Sequence, residues 1–167
     1  MLIGIAAVTA APASAQSQAL LDCAVGSLDS TYRARVAEAG KAGALDGVTE
    51  RLGNAVTACA KRYDLTFDQQ AAYFEYTLTR VEREDIAADL ALAGIPTGVI
   101  DDSLGFGPFR ANPVIEGKIS DEQIDTFYRA LRDSGVDVKA VAGETWGLIG
   151  GYVQASSSMW NAWKKLP

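Results

Sequence analysis

The stretch that decides the fold is GETWGLIGGYVQA, residues 143–155, where glycines fall at 143, 147 and 151 and Ala155 continues the row. Residues four apart are neighbours on an α-helix, and each interior glycine costs about 1 kcal/mol against alanine. The sequence then carries no charge from Thr145 to Trp163. On a helical wheel, Val138, Val141, Ile149, Tyr152, Val153, Met159, Trp160 and Trp163 share a broad face, with Ala140, Gly143, Gly147, Gly151, Ser158 and Ala162 roughly opposite. An uncharged helix with one large apolar side and one small-residue side is covered on both. The pattern predicts a central C-terminal helix from Asp137, as its cap, to about Trp163. Gly143, Gly147, Gly151 and Ala155 would admit a close helical neighbour, whose packing offsets the glycine cost.

Upstream, the same periodicity recurs. Leu21, Val25, Leu28, Tyr32 and Val36 mark one helix over 18–39, and Val48, Leu52, Val56, Cys59 and Tyr63 mark a second from about Asp46. GKAGALDG, residues 40–47, breaks the pattern between them with three glycines in eight positions. The two form an N-terminal αα-hairpin. Thr66 with Gln69 and Ser120 with Gln123 are capping-box signatures for two further starts. Phe67, Ala71, Phe74, Leu78 and Val81 continue from the first, but the stripe changes phase over 83–94, where a kink or a change of packing partner is expected. Ile124, Phe127, Tyr128 and Leu131 make the second. With no strand-like alternation, the fold class is all-α: a single-domain bundle of about five main helices.

Between these helices lies 94–119, with five glycines and three prolines in 26 residues. Such a stretch predicts a long loop, with room for a short helix around PTGVIDD. Phe106, Phe109 and Arg110 put aromatic faces beside a cation, the mixture that contacts a ligand or partner, or else pins a loop to the core.

Composition excludes several chemistries. Histidine is absent, so Ser-His and Cys-His nucleophiles and the commonest metal ligand are absent with it. Two cysteines cannot form a four-ligand zinc site alone. The loop opening at Asp101 fails the calcium pattern, with Phe106 and Asn112 at the glycine and glutamate positions. Glu82, Asp85 and Asp89 share a helix side near Arg80 and Arg83, a pattern that suits an oxygen-ligand metal or a solvated face. No metal, cofactor or catalytic residue is assigned. A net charge of −6 without a basic block argues against nucleic acid.

Residues 1–15, MLIGIAAVTAAPASA, are uncharged and end in the small-x-small form that signal peptidase cuts, leaving 16–167 as the mature domain. Export to the periplasm or beyond makes a Cys23–Cys59 disulfide the leading pairing, against two separate thiols or an intermolecular link. The two cysteines stand at matched heights in the antiparallel hairpin. Trp146, Trp160 and Trp163 near the ends of the uncharged run resemble a membrane-spanning pattern, opposed by three serines, Gln154, Asn161 and the glycines. Membrane contact through 145–163 is therefore a minor alternative. The function expected is that of an exported, non-catalytic helical protein acting through an unidentified protein partner. A periplasmic small-ligand-binding protein, its pocket closed by 94–119, is the alternative.

Overall fold

A computed structural model describes residues 17–115 and 119–167; the expected signal segment lies outside them. Among the described residues the chain is all-helical, with seven α-helices and no strands. None of these helices is long and apolar enough to cross a membrane.

The expected first helix is two. Helix α1, Gln18–Ser27, starts where the Ser17 hydroxyl accepts from Leu20 N, and α2, Ser30–Ala42, starts where the Asp29 carboxylate accepts from Tyr32 N at 2.8 Å. A short polar side chain bonding its own downstream backbone favours a cap over helix interior. Leu28 is extended at the break, yet its side chain is buried, so the apolar rhythm runs unbroken across a backbone interruption. Gly43 ends α2 with φ +64°, a left-handed conformation that suits a residue without Cβ. One 3-10 turn, Leu45–Gly47, leads into α3, Thr49–Arg62.

Cys23 of α1 is bonded to Cys59 of α3, their Cα atoms 6.0 Å apart. The staple therefore joins the two outer members of a three-helix unit. Tyr73, fully buried, ties the next helix to the same unit: its hydroxyl donates to Leu20 O and accepts from Ala24 N, two groups that bond each other in an uninterrupted helix.

Helix α4, Phe67–Leu92, begins at the expected Thr66–Gln69 capping box and runs for 26 residues without interruption. The phase change within it is a change of packing partner. Ala72, Tyr73, Tyr76 and Val81 enter a core shared with α1, α2 and α3, whereas Ile86 and Leu90 enter a second core with Ile100, Leu104, Phe127 and Leu131. Those last four come from α5, Thr97–Leu104, and from α6, Asp121–Asp133, which opens on the expected Ser120–Gln123 box.

Helix α7, Gly143–Trp163, contributes Met159 and Ala162 to the first core and Ile149, Tyr152 and Val153 to the second. It thus lies antiparallel to α4 along both. It begins five residues later than expected: Asp137 accepts from Lys139 N in a separate turn, and Ala142 is the N-cap.

The glycine row needs correction. A Cβ built on Gly143 or Gly147 would meet nothing within 4 Å, and both residues are exposed, because the first turns of α7 touch the core only through their apolar side. Close approach begins at Gly151, whose Cβ would stand 3.3 Å from Ile86 Cδ1 of α4, and continues at buried Ala155.

Opposite signs follow along one row. Gly147→Ala should stabilise by about 0.5–1 kcal/mol, since it relieves helix propensity in open space. Gly151→Leu should cost about 1–3 kcal/mol by overpacking against Ile86. Denaturant melts of the two variants decide this.

Reducing the disulfide, which closes a 36-residue separation, should cost about 4 kcal/mol on the chain-entropy account. The same melts, with and without reductant, measure it.

Candidate functional site

The three loop residues singled out by sequence do not share a face. Phe106 is 1% exposed and sits in the second core, where it anchors the loop. Arg110 turns outward to Asp102, Nη2 to Oδ1 at 2.6 Å. Phe109 is 83% exposed and meets Trp163 edge to face, with ring centroids 6.1 Å apart.

The short helix expected within 94–119 is α5, and a tight clamp follows it. After α5, Asn112 is 1% exposed, its amide oxygen accepting from Gly107 N and its amide nitrogen donating to Gly107 O, both at 2.7 Å. Lys164 Nζ, just past α7, donates to the carbonyls of Ala111 and Asn112 at 2.8 and 2.9 Å. Ser157 donates to Pro113 O and accepts from Ile115 N. Within this clamp Phe109 holds φ +63°, a left-handed conformation that costs a side-chain-bearing residue about 1–2 kcal/mol.

The clamp places Pro108 and Phe109 over a cleft of about 310 Å³. Its remaining walls are Gln18 and Leu21 from α1, Tyr76, Arg80, Arg83 and Glu84 from α4, and Met159, Trp160 and Trp163 from α7. Tyr76, Arg80 and Arg83 recur at i, i+4 and i+7, one side of α4. Trp160 and Trp163, one turn apart, meet edge to face at 5.6 Å.

Both arginines are fixed from behind. Arg80 donates through Nε to Glu84 at 2.7 Å and through Nη1 to Leu21 O, Asp22 and the Tyr76 hydroxyl. Arg83 donates through Nε to Ser156 Oγ at 2.9 Å and through Nη2 to Asp101 at 2.5 Å and to the Tyr152 hydroxyl, while its guanidinium lies 4.7 Å from the Tyr152 ring centre. Burial pushes the Asp101 carboxyl above its ordinary range, against the pull of Arg83 and Tyr152. Burial likewise pushes the Tyr152 phenol up to about 12, against Arg83. This knot binds α4, α5 and α7 at one point, and removing one member of such a partly buried charged set leaves its partner uncompensated.

The carboxylates on the other side of α4 are divided. Lys41 of α2 bridges Asp85 at 2.6 Å and Asp89 at 3.4 Å. Glu82 packs under Gly40, where an added Cβ would come within 3.1 Å of Oε2, and no described residue hydrogen-bonds it. Burial raises its pKa, and Lys41 only partly offsets this. Among the described residues no group of acidic or cysteine side chains is arranged to hold a metal ion.

Sequence reasoning missed Arg80 and Arg83 as wall residues because it took them as neighbours of these carboxylates. The signal was their spacing from Tyr76 on a helix facing an uncharged one.

Glu82→Gln should stabilise the protein near neutral pH. A carboxyl whose folded pKa exceeds its unfolded value contributes stability at acid pH and loses it as pH rises through the raised value. Glutamine has no proton to lose, so its advantage should vanish on acidification to where the parent is protonated. Thermal melts of both proteins across pH measure this.

Compared with known proteins, the chain matches no family model, no curated protein and no solved structure.

Proposed function

We propose that this is an exported, non-catalytic binding protein that holds a small ligand in the cleft between α1, α4, α7 and the 105–115 clamp. The observation that carries this reading is Phe109. An 83%-exposed phenylalanine gains little from folding while its left-handed backbone costs stability, and strain of this kind concentrates at working surfaces. Its ring stands with those of Trp160 and Trp163 beside a cleft at the small end of ligand-pocket volumes.

Other features agree with this reading. Tyr76 and Glu84, the wall groups able to move a proton, are both bonded to Arg80, which suits binding more than catalysis. The disulfide and the small-x-small ending of 1–15 favour export to the periplasm or beyond. A protein partner has weaker support. The two most exposed large apolar residues, Leu92 at 89% and Phe67 at 86%, stand at the two ends of α4, about 38 Å apart, too far to form one patch.

Phe109→Gly separates function from stability. It removes the exposed ring and the left-handed strain together, so stability should stay within about 1 kcal/mol of the parent. Native mass spectrometry of protein exported to a bacterial periplasm should show a co-purified small-molecule mass in the parent, depleted in the variant. A subunit or protein adduct in both, with no small molecule, would contradict the proposal.

A further inference from the structure

We infer that the ligand, if the cleft is the binding site proposed above, is a small amphiphilic carboxylate: an acceptor-only anionic head on an apolar or aromatic body. The argument rests on which hydrogen bonds the cleft leaves unmade. Trp160 Nε1 is buried and finds no acceptor among the described residues. Among the described residues, Arg80 makes its hydrogen bonds through Nε and Nη1, leaving Nη2 without one, and Arg83 makes its own through Nε and Nη2, leaving Nη1 without one. All three side chains line the same cleft, and all three unmatched groups are donors. Of the three, Trp160 Nε1 is the buried one, and a buried polar group without a partner is uncommon and points to a missing one; the two arginine N–H groups reach solvent. A group that only accepts, and accepts at several points, matches all three in chemistry; an ammonium matches none.

The arginines act here as oriented donors, not as a net positive field. The wall carries Arg80, Arg83 and Glu84, and Asp22 and Asp101 pair with the two arginines from beside it. Glu84 is itself engaged by Arg80 Nε, and Asp22 and Asp101 hold the arginines from outside the wall, fixing them for a planar carboxylate. The rest of the wall, from Leu21 and Met159 to the rings of Phe109, Trp160 and Trp163, suits an apolar body.

The test uses the complete chain and three probes sharing one body: phenylbutyrate, phenylbutanol and phenylbutylamine, followed by tryptophan fluorescence. The carboxylate should saturate and bind at least about tenfold more tightly than the alcohol, with the amine weaker still, since a charge-assisted bond is about twice as strong as a neutral one. Phe109→Gly should weaken it. Equal affinity for all three, or preference for the amine, would overturn the anionic class while leaving the cleft as a binding site. Saturation unaffected by Phe109→Gly would place the binding elsewhere and overturn the inference. No saturable response to any probe would overturn the binding reading with it.

Discussion

The structure depends on one constraint: α7 carries no charge over nineteen residues and has to be covered along its length. Its partner is α4, the longest helix, and the antiparallel pair forms the wall common to both hydrophobic cores. The disulfide-linked helices α1 to α3 pack on one half of that pair, and α5 and α6 on the other. Where the two halves meet, Arg83 is held by Asp101, Tyr152 and Ser156, a polar crossing inside an otherwise apolar seam. Satisfied networks of this kind fix the register of the elements they join, because any slip leaves a charge buried without a partner.

The cleft follows from the same pair. On one side of the seam α4 presents Tyr76, Arg80 and Arg83, and α7 presents Met159, Trp160 and Trp163. The loop after α5 is drawn across by the Asn112 clamp and by Lys164 at the end of α7, which sets Phe109 above the tryptophans. Asp22 and Asp101 orient the arginines from outside the cleft and Glu84 holds Arg80 Nε from within its wall, so one terminal nitrogen of each arginine stays positioned without being consumed.

Signals confined to one turn of chain were legible. Both capping boxes stand where Thr66–Gln69 and Ser120–Gln123 predicted them. The cysteine pair, 36 residues apart, is joined as expected, although the continuous first helix on which their heights were matched is broken at Asp29. Apolar periodicity alone misjudged the first helix, because Leu28 stays buried while Asp29 interrupts the backbone. The glycine row misled for a related reason. A propensity cost shows that something must offset glycine, not that a neighbour touches each one, and α4 reaches the row only from Gly151 onward. The cleft was not legible at all: its walls come from four segments far apart in sequence, and Phe106 and Phe109, three residues apart, point to opposite fates through a turn that no local pattern announces.

The central claim is that the unmatched donors of this cleft are waiting for an acceptor, and the indole of Trp160 reports on it most directly. In nitrogen-labelled protein, adding phenylbutyrate should shift the Trp160 Nε1–H resonance downfield and slow its exchange with water, as a hydrogen bond forms. Trp146, packed in the second core against Phe127 and Tyr128, should not move. A Trp160 signal that stays in place while the probe is bound, or a shift shared equally by Trp146, would contradict the account.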